Sequence, residues 1–180
     1  MVLGSTQPLE QIDVGACARD GIDIVRRRSG GAAVLVVPGE MLWLDVVIPA
    51  GDRLWHEDVG RSMWWLGDVW REALESCGVV GAAVHRGPAM HTTWSRLSCF
   101  DGLGAGEVTI AGVKAVGISQ RRTRAWARLQ SAMHLVWRGE QLAGLFAPPH
   151  PATAEMAEPV RIAVDVERLR TAVGNSLQQR

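Results

Sequence analysis

Glu107-Val108-Thr109-Ile110-Ala111-Gly112-Val113-Lys114-Ala115-Val116-Gly117-Ile118-Ser119 is the stretch that decides the fold. Two runs rich in β-branched residues, 107–110 and 113–119, flank Ala111-Gly112. That pair reads as the tight turn of a β-hairpin. Downstream, 120–128 is polar and basic, 129–137 is a further strand candidate, and 141–146 is a short helix. Upstream, 79–85 reads as a strand and 86–96 as irregular chain around Gly87-Pro88. Val59, Met63, Leu66, Trp70, Ala73, Leu74 and Cys77 recur at three- and four-residue steps, so 59–77 is expected to be an amphipathic helix. Asp58 is its expected N-cap and Gly78 its stop. Residues 41–48 read as a strand, and 22–28 and 33–37 as short strands around Ser29-Gly30-Gly31. Pro148, Pro149 and Pro151 break regularity, 152–158 reads as a linker, and 164–177 as a last helix. Many short strands, tight hairpins and one dominant helix argue an α+β fold: a mixed, largely antiparallel sheet packed with helices, not a βαβ ladder. The expected organisation is a domain over 1–150 followed by a linker and short helix over 151–180.

Composition narrows the class. The 180 residues are 47% hydrophobic and 21% charged, which is ordinary globular usage and excludes a disordered chain. No run approaches the roughly 18 apolar residues of a membrane span. Residues 1–10 lack the basic start and apolar centre of a secretory signal. Cys17, Cys77 and Cys99 are an odd, scattered set, neither a disulfide framework nor a zinc spacing, so a reducing cytoplasm is expected. Nineteen basic and nineteen acidic residues cancel, giving no support for a nucleic-acid or membrane partner. Eighteen of those basic residues are arginine; Lys114 is the one lysine. A compact ammonium at a place where arginine is otherwise universal suggests a position a planar guanidinium does not serve.

Three segments carry chemistry. In Arg26-Arg27-Arg28-Ser29-Gly30-Gly31-Ala32-Ala33-Val34, guanidiniums, a hydroxyl and a glycine-rich bend suit an anion cradle. A basic strand edge with an ordinary turn fits the same letters. In the hairpin, strict alternation would put Lys114, Val116 and Ile118 on one face, and a lysine there needs a partner or a ligand. The competing role is an edge lysine that blocks aggregation. Cys99, in Ser98-Cys99-Phe100-Asp101, is either a nucleophile activated by a neighbouring cation or an inert buried thiol. Cys17 and Cys77 read as packing residues. No G-x-G-x-x-G opens a helix after a strand, there is no Walker lysine motif or G-x-S-x-G elbow, and the five histidines show no metal-ligand spacing.

At these residues the chain resembles the lipoate–protein ligase family, within the wider biotin/lipoate ligase and octanoyltransferase fold. The pattern R-R-x-S-G-G-G-A-V is similar to Arg26 through Val34, and G-x-K-x-x-G followed by a small residue is similar to the Gly112 to Ile118 stretch. Ser119-Gln120-Arg121-Arg122-Thr123-Arg124 and Cys99-Phe100 with Gly106-Glu107-Val108 extend the likeness, which runs over about 2–146. The resemblance implies ATP-dependent activation of lipoate or octanoate to an acyl-adenylate and transfer to a lysine of a lipoyl domain. That domain would belong to a 2-oxoacid dehydrogenase or to the glycine cleavage H protein. It implies ATP, with Mg²⁺ on its phosphates, and lipoate as substrate. Arg27, Ser29, Gly30, Gly31 and Ala32 would hold phosphate and acyl-adenylate; Lys114 would meet the carboxylate and α-phosphate oxygens; Gly117 and Ser119 would border the acyl cleft. The acyl tunnel is expected along 34–37 and 113–118.

This sequence departs from that pattern in four places. Ala32 replaces the third glycine, and Gln130-Ser131-Ala132 replaces a His-Gly that often follows the lysine hairpin. Family chains carry a helix and a strand ahead of the segment matching 2–7, so an upstream start or a missing sheet edge is expected. The accessory domain of longer ligases has no counterpart. Two further readings follow: an ATP-independent octanoyl or lipoyl transferase using a Cys99 thioester, and a non-catalytic protein that binds lipoate or a lipoyl domain.

Overall fold

The computed structural model describes residues 1–180. A two-stranded parallel sheet joins β1 (Val2–Leu3) to β2 (Val25–Arg26), with α1 (Val14–Arg19) between them in the chain. The main sheet holds β3 (Met41–Pro49), β4 (Ala82–Val84), β5 (Val108–Ile110), β6 (Val113–Arg122) and β7 (Trp126–His134) in the order β3-β7-β6-β5-β4, every pair antiparallel. This is the α+β class read from the sequence. The β5–β6 turn sits on Ala111 at φ 49° and Gly112 at φ 81°, two left-handed residues in a row, which matches the right-handed twist of the strands it joins.

The expected long helix forms as α2 (Trp64–Ser76), entered through a 3-10 turn at Arg61–Met63. Asp58 Oδ1 accepts from the Arg61 N–H at 2.9 Å, so the cap acts on that entry turn. Gly78, at φ 88°, ends it. Its 3.6-residue stripe of Leu66, Val69, Trp70, Ala73 and Leu74 is fully buried against Val108, Val116, Leu129 and Met133 of the sheet. A short helix, α3 (Gly139–Ala143), lies somewhat earlier than expected, and α4 (Val166–Gln178) places Leu169 and Val173 in the same core beside α2. Asp165 caps α4 through Oδ1 and the Arg168 N–H at 2.8 Å. A second core gathers Leu3, Cys17, Leu35, Trp94, Leu145 and Phe146. No helix is long and apolar enough to cross a membrane.

One local expectation changes. The strands read at 22–28 and 33–37 shrink to Val25–Arg26 and to single bridges, Val2 with Val34 and Ala33 with Ser98. Side chains replace the ladder there: Arg26 donates to the carbonyls of Gly4 and Gln7, and Arg27 to those of Gly30 and Ala32. The polar, basic 120–128 segment, given no element in the sequence, is mostly strand. β6 runs through Arg122, and Thr123 Oγ1 closes a turn by accepting from the Ala125 and Trp126 N–H groups.

Candidate active site

The register of β5 on β6 slips by one residue: Thr109 faces Lys114, but Val108 faces Val116, leaving Ala115 as the extra residue of a β-bulge. Alternation would put Lys114 with Val116 and Ile118. Instead, Val116 and Ile118 join the α2 core, while Lys114 shares a side with Gly117, whose Cβ position lies 3.4 Å from the Lys114 Cε. The bulge thus lifts the lysine out of the core and swings it to the opposite face.

Lys114 is only 7% exposed, and each of its three donors is engaged. Nζ lies 2.7 Å from Glu107 Oε2 and donates to the carbonyls of Cys99 and Gly102, both at 2.8 Å. Glu107, 4% exposed, also accepts from the Gly104 N–H at 2.6 Å and the Ile118 N–H at 2.9 Å. One carboxylate therefore ties both hairpin strands to the 102–104 loop. The sequence reading asked for a partner and did not name Glu107. The signal was there: with a two-residue turn, 107 is the diagonal same-face neighbour of 114.

Across from this pair stands the glycine bend. No backbone hydrogen bond uses the N–H of Gly30, Gly31 or Ala32. Three consecutive free N–H groups at a wall form a natural anion site. Gly31 is left-handed at φ 94°, and a Cβ there would lie 2.7 Å from Arg27 Nη2. Ser29 is buried and donates to Gln130 Oε1 at 2.7 Å while accepting from Ser119 Oγ at 3.1 Å, which pins the bend to β6 and β7.

Bend and lysine enclose one cleft of about 310 Å³, within the range of small-molecule pockets. Of the expected site residues, Gly30, Gly31, Ala32, Cys99, Lys114 and Ser119 line it. Arg27, Ser29 and Gly117 stand behind it. The Arg27 guanidinium holds the bend's carbonyls, with Nη2 2.8 Å from Gly30 O and 2.9 Å from Ala32 O, instead of reaching outward. The same Nη2 lies 4.0 Å from Cys99 Sγ, and that sulfur is 3.4 Å from the Gly31 Cβ position. Cys99 thus places its thiol between a guanidinium and the bend. The apolar part of the cleft is made by Val59, Met63, Met90, Leu103 and Ile118, not by 34–37. Val34 packs with Phe100 and Ala132 in a third, small core, and Leu35 joins the second core instead.

Behind Lys114 stands Phe100, whose ring centroid is 5.2 Å from Nζ. His134 meets that ring edge-on at 4.4 Å and Trp137 at 4.9 Å, with Nε2 buried and unpartnered. Burial lowers its pKa from 6.5 to about 4, against weaker opposing effects of the Val136 backbone and the Glu40 charge. The unfolded chain takes up this proton between those two values while the folded chain does not. Stability is therefore complete above pH 6.5 and falls by roughly 3 kcal/mol in total as the pH drops through 4. Urea titrations at pH 7 and pH 4 are expected to show a larger loss in the wild type than in His134→Phe, which keeps only the part due to the carboxylates. Equal losses in both would disprove the assignment.

The comparisons with known proteins agree with one another. The family model for the lipoyl protein ligase A/B catalytic domain matches residues 1–179. Octanoyltransferase LipM of Clostridioides difficile (strain 630) is 28% identical over 121 residues, covering 67% of this chain and 44% of that protein. A bipartite lipoate protein ligase from Thermoplasma acidophilum, studied with its E2 lipoyl domain, superposes with a TM-score of 0.73 at 19% identity over 99% of this chain and 66% of the other. A lipoate-protein ligase A bound with ATP gives a TM-score of 0.72 at 18% identity, over 99% of this chain and 67% of that one. The chain thus spans under half the length of its curated relative and about two thirds of these structures. The structural likenesses give the fold, and the match along nearly the whole sequence gives the family: this chain belongs to the lipoyl protein ligase A/B catalytic-domain family.

Proposed function

We propose that the chain is an octanoyl or lipoyl transferase that carries its acyl group on Cys99 and delivers it to a lysine of a lipoyl domain. The observation that carries this reading is the Cys99 thiol, facing the cleft between Arg27 Nη2 and the Gly31 bend. The relative named an octanoyltransferase supports it. In the first step Cys99 Sγ attacks the carbonyl carbon of an acyl thioester donor. An Sγ–C bond forms, the donor's C–S bond breaks, and the thiol proton leaves with the donor sulfur. In the second step the acceptor's neutral amine attacks the enzyme thioester. A C–N bond forms, the Sγ–C bond breaks, and the amine proton returns to Cys99. The free N–H groups at 30–32 suit the negative charge that grows on the carbonyl oxygen in both steps.

A second reading, the ATP-dependent lipoate ligase, is favoured by the glycine bend facing Lys114 across the cleft, and by a structural neighbour bound with ATP. There the free N–H groups would take a phosphate, Mg²⁺ would ride on ATP, and Lys114 would turn to the acyl phosphate. That turn requires leaving Glu107 and two carbonyls, and this ranks the ligase second. Incubation with octanoyl carrier protein, followed by peptide mass spectrometry, separates the two. The transferase reading expects an octanoyl group on the peptide holding Cys99. No adduct, together with lipoate-dependent ATP–pyrophosphate exchange, would replace it with the ligase. The acceptors expected are lipoyl domains of 2-oxoacid dehydrogenases or the glycine cleavage H protein, in the cytoplasm.

A further inference from the structure

Residues 147–165 cross the back of the site as an irregular strap before α4 begins. We propose that Asp101 is a positioning residue, fixing the turn that presents Cys99 by anchoring it to this strap through the Ala157 N–H. The inference rests on the thioester reading of the cleft.

Cys99 and Asp101 share one 3-10 turn, Cys99–Asp101. Asp101 is 2% exposed, and its Oδ1 accepts from the Ala157 N–H at 2.5 Å. Its backbone carbonyl accepts from Thr92 Oγ1 at 2.8 Å and Ser95 Oγ at 3.1 Å, and Ser95 belongs to the cleft wall. One residue therefore joins the nucleophile's turn, the wall and the strap. The strap is itself fastened on both sides of this point. Trp94 Nε1 donates to Ala152 O at 3.0 Å, and the Val160 N–H donates to the Lys114 carbonyl at 3.1 Å. Cys99 is held at its own N–H by Ala33 O, at 2.9 Å, and at its carbonyl by Lys114. Asp101 supplies the third hold, on the C-terminal side, where the turn has no regular structure to lean on.

A carboxyl group is a costly occupant for a buried position. Burial raises the Asp101 pKa, and the Ala157 N–H and the Lys114 charge only partly oppose that, while Oδ2 is buried without a partner. An apolar side chain would fill the space without this cost. What it would lack is an acceptor for Ala157.

The test uses Asp101→Asn, Asp101→Ala and Ala157→Pro in the full chain, with two readouts. One is the rate of Cys99 alkylation by iodoacetamide, followed on the Cys99 peptide. The other is the rate of octanoyl adduct formation against donor concentration. Ala157→Pro removes the N–H donor and leaves the Asp101 side chain in place. Met156, at φ −70° and ψ 128°, already has the extended backbone that precedes proline. Asp101→Ala and Ala157→Pro are expected to slow the adduct step roughly ten- to hundredfold, with the donor concentration for half-maximal rate unchanged. Both should also alter the alkylation rate, while Asp101→Asn, which keeps an acceptor oxygen, stays near wild type. Wild-type behaviour of Ala157→Pro, or an Asp101→Asn as impaired as Asp101→Ala, overturns the proposal. If the wild type itself forms no adduct, the thioester reading fails. Alkylation needs no acyl donor, so it still decides whether Asp101 sets the thiol's placement.

Discussion

Glu107→Ala is expected to cost at least about 3–5 kcal/mol, enough to unfold many domains of this size. The substitution strands a buried ammonium, leaving Lys114 with two carbonyls and no counter-charge. It also leaves the Gly104 and Ile118 N–H groups without their acceptor, at about 1–3 kcal/mol each where water does not reach them. Urea melts should show a large drop in midpoint at an unchanged m-value. The pair Glu107→Leu with Lys114→Met should recover only the part due to the stranded charge, because it still leaves the Gly104 and Ile118 N–H groups and the Cys99 and Gly102 carbonyls without partners. A single-variant loss below about 1 kcal/mol would mean that the carboxylate is solvated and the pair is not the clamp described here.

Gly4→Ala should be nearly as severe, for steric reasons. A Cβ on Gly4 would lie 1.6 Å from the Gly31 carbonyl oxygen. That neighbour is backbone, so no rotamer relieves the clash. The bend must move as a unit, disturbing its contacts with Arg27 and Cys99. A cost of roughly 3 kcal/mol or more is expected, above the usual range for overpacking by one methyl. Loss of the Cys99 adduct should accompany it. Gly174→Ala is the matched control. It lies within α4 with open space around its Cβ position, and should instead stabilise by up to about 1 kcal/mol. Equal thermal midpoints for Gly4→Ala and the wild type would show that β1 is not seated under the bend.

The parts of this fold legible in sequence are those set by local periodicity. α2 could be read because its apolar residues repeat at helical steps and both ends carry their own signals. The β5–β6 hairpin could be read from two residues, Ala111 and Gly112. The bulge at Ala115 could not, since it exists only as a mismatch between two paired strands. That mismatch misassigned the face of Lys114. Gly4 was silent for the same reason: its need to be glycine comes from Gly31, far along the chain. Nothing in the sequence around Asp101 signals its burial, because the strap that covers it arrives from more than fifty residues downstream. The pocket's apolar wall was misplaced because Val34 and Leu35 were judged by hydrophobicity, and two cores competed for them.

Every exposed cation on a side chain of this protein is a guanidinium, and its solitary lysine is locked inside. A catalyst that hands activated carboxyl groups to primary amines would thus offer no side-chain target of its own. Reactive intermediates leaking from the pocket would find no lysine on the outer surface to acylate, and amine-directed crosslinkers would leave these side chains untouched.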